Sequence, residues 1–406
     1  MLDAKDFLVA ADIARAETLP ARAFIDPEVL ERELATIFAS SWLMVPERAA
    51  EEQRADGRSL ADLVARRGAR APAQVLEKPL FLVRDWKGTL RCFPNVCTHA
   101  WHTLVQGPER ERTLTCPQHG RQFDLDGRFL AQPGFEKAPG FPRDCDHLQA
   151  VSVAAWAGKP FIALGAPAAP FEEVFADVAA TTAAMGVEGW PRAPMAGEVR
   201  DLEGNWKQHA WNYLDSLHIP YVHRKPHGLA DAVDMASYRT EVGTWSVLQW
   251  AWARDPADGF DPRAMPPRLQ HKSKRVFALW WFVWPNLTLN LYPWGMSVNV
   301  YNPVPGQPQR TRFHWYHYVA DAAKHRERDA RWKMREVDDE DVEALAQVAR
   351  GVRSALAPRG RFAAGREEAP HWFHRRVYEG LFAATLEGRR GAAPREPRRR
   401  ARRTAR

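Results

Sequence analysis

The 406-residue chain is short of several things that would each imply a function. It has no apolar run approaching the about eighteen residues that cross a bilayer, so a helical membrane protein is not expected. Its four cysteines, Cys92, Cys97, Cys116 and Cys145, are too few and too unevenly spaced for a disulfide framework, and they suit a reducing compartment. No two glycines stand two residues apart, so the G-x-G-x-x-G nucleotide fingerprint is absent. The plant-type ferredoxin spacing of cysteines is missing as well. Internal repeats are not evident, and neither is a lipidation motif. The opening Met1-Leu2-Asp3-Ala4-Lys5-Asp6 does not have the form of a signal peptide. A cytoplasmic protein is the expectation.

The formal net charge of +7 is deceptive, because Arg389–Arg406 alone contains nine Arg and one Glu. The remainder is therefore close to neutral. A Pro/Arg/Ala tail of this composition has nothing to bury and is expected to be disordered, and nucleic acid is not an expected partner. Hydrophobic residues make up 45% and charged residues 26%, the balance of a chain with real cores and length enough for two domains.

The most informative stretch is Cys97-Thr98-His99, sixteen residues, then Cys116-Pro117-Gln118-His119. Two Cys–His pairs on two short loops suit zinc or an iron–sulfur cluster. In a Rieske centre two Cys hold one iron of a [2Fe-2S] cluster and two His hold the other. The flanks discriminate between the metals. After the second pair, Phe123 and Leu125 alternate with polar residues and Asp126-Gly127 signals a tight hairpin. A zinc finger would place a helix there. The block resembles a Rieske ferredoxin domain.

Elsewhere, Asp26-Pro27 caps a predicted amphipathic helix over 26–38, with Leu30, Leu34, Ile37 and Phe38 on one face. Residues 50–76 look like an exposed insertion with a short helix. Strands are expected at 80–84 and 90–93. Pro167, Pro170 and an Ala-rich stretch mark a boundary, followed by a strand-rich region over 280–318 and two closing helices near 338–356 and 370–385. The expected architecture is a small all-β domain followed by an α+β domain.

The second constellation runs from Asn205-Trp206-Lys207 through Asn212, Asp215 and His218 to His223. On a helix Asn212, Asp215 and His218 share one face. Pro220 should end or bend that helix at Ile219, letting His223 swing toward His218. Two His plus a carboxylate from elsewhere make the facial triad of non-haem iron(II) oxygenases. The acidic run Glu336–Glu343 offers the carboxylate. Helical phase puts Val337, Asp341, Ala344, Leu345, Val348 and Val352 on one face, with Asp339 and Glu343 toward solvent. Asp341 is the first candidate and Asp338 the second.

With both constellations in view, residues 20–385 resemble the alpha subunit of a Rieske non-haem iron oxygenase, of the ring-hydroxylating dioxygenase and choline monooxygenase-like superfamily. The resemblance implies an α+β fold: an all-β Rieske domain (41–165) and a helix-grip, START/Bet v1-like catalytic domain with an antiparallel sheet (166–388). An N-terminal helical segment (1–40) would pack on the latter, and a basic tail (389–406) would follow. It implies that Cys97, His99, Cys116 and His119 hold a [2Fe-2S] cluster, and that His218, His223 and Asp341 hold mononuclear Fe(II). Asp215, with Asn212 nearby, would be the bridging carboxylate. The cluster would be fed by a separate reductase or ferredoxin, so that NAD(P)H acts only indirectly. A homotrimer is implied, in which one subunit's cluster faces its neighbour's iron. With O2, a small organic substrate would be hydroxylated, oxidatively demethylated or cis-dihydroxylated, monooxygenation being favoured. The alternatives are an electron-transfer or regulatory Rieske protein with an inactive second site, and a zinc-binding helix-grip ligand-binding protein.

The chain departs from the family where Gln118 and Arg121 replace a common Tyr and Trp, and where Ala100-Trp101 replace a common Arg-Gly. His102 and His209 lie off the ligand pattern and are read as supporting or structural. The many tryptophans of the second half, Trp245, Trp250, Trp252, Trp280, Trp281, Trp284 and Trp294, are expected mainly in the sheet core rather than in an aromatic cage.

Overall fold

The computed structural model describes residues 2–47, 58–223, 228–332, 334–354, 356 and 358–391. The basic tail beyond 391 lies outside the described residues. Helix α1 (Pro27–Glu33) starts as anticipated: the Asp26 side chain accepts the Glu28 N–H at 2.8 Å and Pro27 takes the first turn. The helical path continues as a wider π-turn over Leu34–Phe38. Val29, Leu30, Ile37 and Phe38 are buried, and so, unexpectedly for a carboxylate, is Glu33.

The β-rich part comprises β1 (Leu43–Met44), β2 (Ala69–Val75), β3 (Lys78–Arg84), β4 (Leu90–Pro94), β5 (Glu109–Arg110), β6 (Leu114–Thr115), β7 (Gln122–Phe123), β8 (Phe129–Ala131), β9 (Ser152–Trp156) and β10 (Lys159–Ala163). They form three small sheets, in the orders β4-β3-β2-β5, β6-β7-β8 and β1-β10-β9. Residues 50–57 of the expected exposed insertion over 50–76 lie outside the described residues, and the rest of that expectation is corrected here. A single capped turn spans Leu60–Leu63, but Ala69–Val75 is a strand paired between β3 and β5, with Ala69, Ala71 and Val75 buried. Its Ala/Arg composition concealed it, because two-sided pairing rather than side-chain hydrophobicity holds it.

The second part is a seven-stranded antiparallel sheet. It contains β11 (Arg192–Glu203), β12 (Arg239–Val242), β13 (Ser246–Trp252), β14 (Val276–Val283), β15 (Leu287–Tyr292), β16 (Gly295–Val304) and β17 (Gln307–Val319), in the order β11-β17-β16-β15-β14-β13-β12. Helices α2 (Trp206–Leu214), α3 (Ile219–Val222), α4 (Ala322–Trp332), α5 (Met334–Ser354) and α6 (Glu368–Gly391) complete it. Helix α4 was not anticipated. No described helix is long and apolar enough to cross a membrane.

Successive side chains of a strand point to opposite faces, and this sheet uses both. Leu248, Leu279, Trp281, Leu289 and Val298 pack into one apolar core with Met44, Trp156 and Phe161 of the small β1-β10-β9 sheet. The alternate residues Gln249, Trp280, Asn290, Ser297 and Asn299 line a cavity of about 480 Å³ between the sheet and helices α2 and α5. The tryptophans divide accordingly. Trp281 and Trp284 are core, whereas Trp280 and Trp294 face the cavity.

Candidate functional site

The two Cys–His loops are built alike. Cys97 N–H donates to His102 O (2.8 Å) and Trp101 N–H returns to Cys97 O (3.1 Å). In the second loop Cys116 N–H donates to Arg121 O (2.7 Å) and Gly120 N–H returns to Cys116 O (3.0 Å). The residue four after each Cys is left-handed, Trp101 at φ 61° and Gly120 at φ 69°. A glycine adopts that conformation freely, so Trp101 is strained where the family commonly has Gly. Its ring is 81% exposed.

These turns aim two buried thiols and two imidazoles at one point. The His99 and His119 rings meet edge to face at 4.7 Å between centroids. Burial, together with the neighbouring Cys116, pushes the Cys97 thiol up, outweighing the backbone N–H groups that favour its thiolate. Two soft and two imidazole donors on paired loops fit a Rieske cluster. Strand β7, not a helix, follows the second pair, and Asp124–Arg128 closes a hairpin through Gly127 at φ 87°. A Cβ at Gly127 would come within 2.6 Å of the Phe93 ring.

The second site assembles at the mouth of the cavity. Helix α2 is started by Asn205, whose side chain accepts the Lys207 N–H (3.0 Å). Trp206 and Lys207 turn inward to Glu33: Trp206 Nε1 donates to Glu33 Oε2 at 2.8 Å and Lys207 Nζ lies 2.7 Å from Glu33 Oε1. The helix ends at Leu214, five residues before the bend expected at Ile219. The Asp215 side chain accepts the Leu217 N–H (2.7 Å) and turns the chain out. Pro220 then sits in the first turn of α3, where its missing N–H costs nothing. Asp215 and His218 therefore meet across a turn rather than along one helix, with Asp215 Oδ2 3.6 Å from His218 Nδ1. Asn212 lines the cavity beside them.

One ligand atom each of His218, His223 and Asp341 lies within 4.8 Å of the others. Asp341 Oδ1 is 3.5 Å from His218 Nε2 and 3.2 Å from His223 Nε2, and the two Nε2 atoms are 3.2 Å apart. The other ring nitrogen of His223 points to Glu340 Oε2 at 2.9 Å. A carboxylate that receives Nδ1–H leaves the Nε2 lone pair facing the centre, as a metal ligand requires. Burial alone would lower the His223 pKa, but Asp341 and Glu340 more than offset it and raise it. The donor set of two imidazoles and a carboxylate fits iron(II).

Helix α5 thus spends its acidic run three ways. Asp341 joins the histidines, Glu340 orients His223, and Asp338 lines the cavity with its pKa pushed up to about 7 by burial and by Asp341. Asp339 and Glu343 are exposed. The expected apolar face needs one correction: Val348 is 45% exposed and Ala349 is buried in its stead. The role of Glu340 escaped sequence reasoning, since its partner lies 117 residues away and only its adjacency to Asp341 hinted at it. His209 is buried and neutral, stacked on Tyr301 at 5.6 Å with its pKa lowered to about 4 by burial.

Comparison with known proteins agrees with both halves. Residues 59–142 match the model of the Rieske [2Fe-2S] domain, and residues 189–381 match that of the ring-hydroxylating alpha subunit catalytic domain. The oxygenase subunit of carnitine monooxygenase from Escherichia coli K12 is 27% identical over 358 residues, 85% of this chain and 86% of that one. The chloroplastic choline monooxygenase of Arabidopsis thaliana is 27% identical over 387 residues, 91% and 84% respectively. In fold, a quaternary ammonium Rieske monooxygenase in complex with L-carnitine superposes with a TM-score of 0.72 at 23% identity, over 94% of this chain and 99% of that one. Naphthalene 1,2-dioxygenase from Rhodococcus sp. superposes at 0.68 and 16% identity, over 90% and 94%. The zinc-protein alternative gives way to these matches. With its [2Fe-2S] domain, its catalytic domain and the iron and O2 chemistry they imply, this chain belongs to the Rieske non-haem iron oxygenases, as an oxygenase-component alpha subunit.

Proposed function

We propose that the chain is the oxygenase component of a monooxygenase whose substrate is a small molecule bearing a quaternary or N-methylated ammonium group. The observation that carries this reading is an aromatic corner inside the cavity. Tyr238 stacks on Trp280 (5.7 Å, 16°), Tyr292 stacks on Trp294 (4.6 Å, 5°), and Trp280 meets Tyr292 nearly at right angles (80°). The Trp280 indole N–H donates to the Tyr292 hydroxyl at 3.1 Å, which locks the corner. Aromatic faces at right angles attract a cation, with about 2 kcal/mol or more available when it is desolvated. Asp338, half-buried and close to Tyr292 and Tyr301, supplies a counter-charge, and a cation there would restore its ordinary acidity. The names of the carnitine and choline monooxygenase relatives point the same way.

Residue roles follow from the same reading. Cys97, His99, Cys116 and His119 hold the cluster; His218, His223 and Asp341 hold the mononuclear iron. When bound, the cluster supplies single electrons and the iron activates O2 beside the substrate. Asp215, its side chain 22% exposed at the rim of the site, is the carboxylate that joins the two centres, and Asn212 helps to line that path. The cluster belongs to a neighbouring subunit of a homotrimer, and a separate reductase or ferredoxin feeds it. None of the four cysteines is paired in a disulfide, which suits the cytoplasm.

The test is substrate-stimulated O2 uptake with a reductase, comparing trimethylammonium compounds with isosteres in which carbon replaces the nitrogen. The charged compounds should be turned over and bind at least about tenfold tighter than the neutral ones. Equal binding of the neutral isosteres would remove the cationic substrate and leave the oxygenase assignment standing.

A further inference from the structure

Arg121 is the least expected group in the cluster domain. It is 1% exposed, a whole guanidinium inside the wall of a small domain, where the family commonly has Trp. Its charge is surrounded on one side by rings: Phe129, Phe135 and Phe141 lie 5.4, 5.6 and 5.4 Å from its central carbon. On the other side three of its five N–H groups have polar partners. Nε donates to Gln132 Oε1, and Nη1 donates to Thr98 Oγ1 (2.8 Å) and to Asp146 Oδ1 (3.3 Å). The Gln132 amide nitrogen in turn lies 3.0 Å from His99 Nδ1, so the guanidinium is one side chain away from that imidazole. The Phe135 ring closes on the other side of His99, edge to face at 5.3 Å. Arg121 also belongs to the second loop itself, through its carbonyl and Cys116 N–H.

We propose that Arg121 tunes the cluster electrostatically: its buried charge, one side chain away from His99, raises the reduction potential of the cluster. This rests on the cluster being held by Cys97, His99, Cys116 and His119, which the visible and EPR spectra of the parent protein report independently.

The cause is a charge placed out of water. Reduction adds one electron, and hence one negative charge, to the cluster. A guanidinium that cannot be deprotonated and cannot be screened by solvent favours the reduced form. Asp146 tempers it. Its Oδ1 takes the Arg121 donor and its Oδ2 takes the Arg143 N–H at 2.8 Å, which seats a carboxylate beside the cation. The two side chains therefore act on the cluster with opposite signs. A residue that merely filled space would move the potential in neither direction systematically. That opposition is the signature to look for.

The experiment is a redox titration of the full-length, cluster-loaded protein followed by visible circular dichroism at one fixed pH and ionic strength. Arg121→Gln should lower the midpoint by about tenfold in the one-electron equilibrium, which is about 59 mV. Asp146→Asn, which leaves Arg121 in place, should raise it. Arg121→Lys keeps the charge without the fork, so its midpoint should stay near the parent. A cluster-loaded Arg121→Gln protein with the parental midpoint would overturn the proposal, as would an unchanged or lowered midpoint in Asp146→Asn. Should Arg121→Gln fail to assemble a cluster, the Asp146→Asn and Arg121→Lys midpoints decide alone. A normal cluster spectrum with no shift in any variant refutes the role of Arg121 and leaves the cluster assignment intact.

Discussion

Replacing Lys207 by Met should destabilise the protein far more than a surface lysine would. Lys207 Nζ and Glu33 Oε1 lie 2.7 Å apart with both side chains wholly shielded from solvent. Burial pushes Glu33 up and Lys207 down, toward their neutral forms, and each partner's charge opposes the shift in the other. The Lys207 ammonium also rests against the rings of Phe24 (5.4 Å) and Trp206 (5.3 Å). Lys207→Met leaves the Glu33 carboxylate with only the Trp206 indole N–H. Breaking one side of a buried pair costs about 3–5 kcal/mol. For a domain of this size that is a fall in Tm of about 6–20 °C. The double replacement Glu33→Leu with Lys207→Met removes both charges and should recover most of the loss, because apolar pairs substitute well for buried ion pairs. Urea and thermal unfolding of the three proteins by circular dichroism gives the comparison. A single mutant within about 1 kcal/mol of the parent, or a double mutant no better than the single, would refute the reasoning. The pair ties α1 to the first turn of α2, the helix that carries Asn212 and leads into Asp215.

Other expectations follow from single contacts. Glu340→Ala should weaken iron binding about 10–100-fold without disturbing the cluster spectrum, because His223 loses the acceptor that orients it; iron titration of the apo site measures this. Asp341→Ala should abolish turnover and empty the mononuclear site while Asp338→Asn retains the iron, as metal analysis of the two proteins would show. Trp101→Gly should relieve left-handed strain by about 1 kcal/mol and raise the temperature at which cluster absorbance is lost. His374, held neutral with its pKa lowered to about 3 by burial and by Lys207, His371 and Arg359, accepts the Leu19 N–H at 3.0 Å. Between its ordinary value of 6.5 and about 3 the unfolded chain takes up a proton that the folded chain refuses, so stability falls as pH drops through that window. His374→Gln should lose less of its urea midpoint than the parent between pH 7 and pH 4.5.

What the sequence determined by itself was local or periodic. The Cys–His pairs and the hairpin signal after them lie within one loop pair, so spacing alone conveyed their geometry. Asp26-Pro27 acts on an N–H group two residues away, and its cap was legible for the same reason. The strands over 276–304 stood out because their β-branched and aromatic runs are bounded by Pro and Asn. Helical phase placed Asp341 on the inner face of α5 and Asp339 and Glu343 on the outer one.

Tertiary structure decided whatever depends on a partner distant in the chain. Asp338 and Asp341 share a face, and only the approach of His218 and His223 separates the one that meets them from the one that meets the aromatic corner. Glu340 becomes a positioning group because His223 lies above it, and Lys207 is buried because Glu33 is there to receive it. Trp280 and Trp281 are neighbours of identical type, yet pleating sends one to the cavity and the other to the core, which composition cannot express. Arg121 read only as a departure from pattern until three phenylalanines, Gln132 and Asp146 closed around it. Short-range hydrogen bonding and periodicity are written in adjacent residues. The sign of a buried charge, and what it is for, is set by what folds against it.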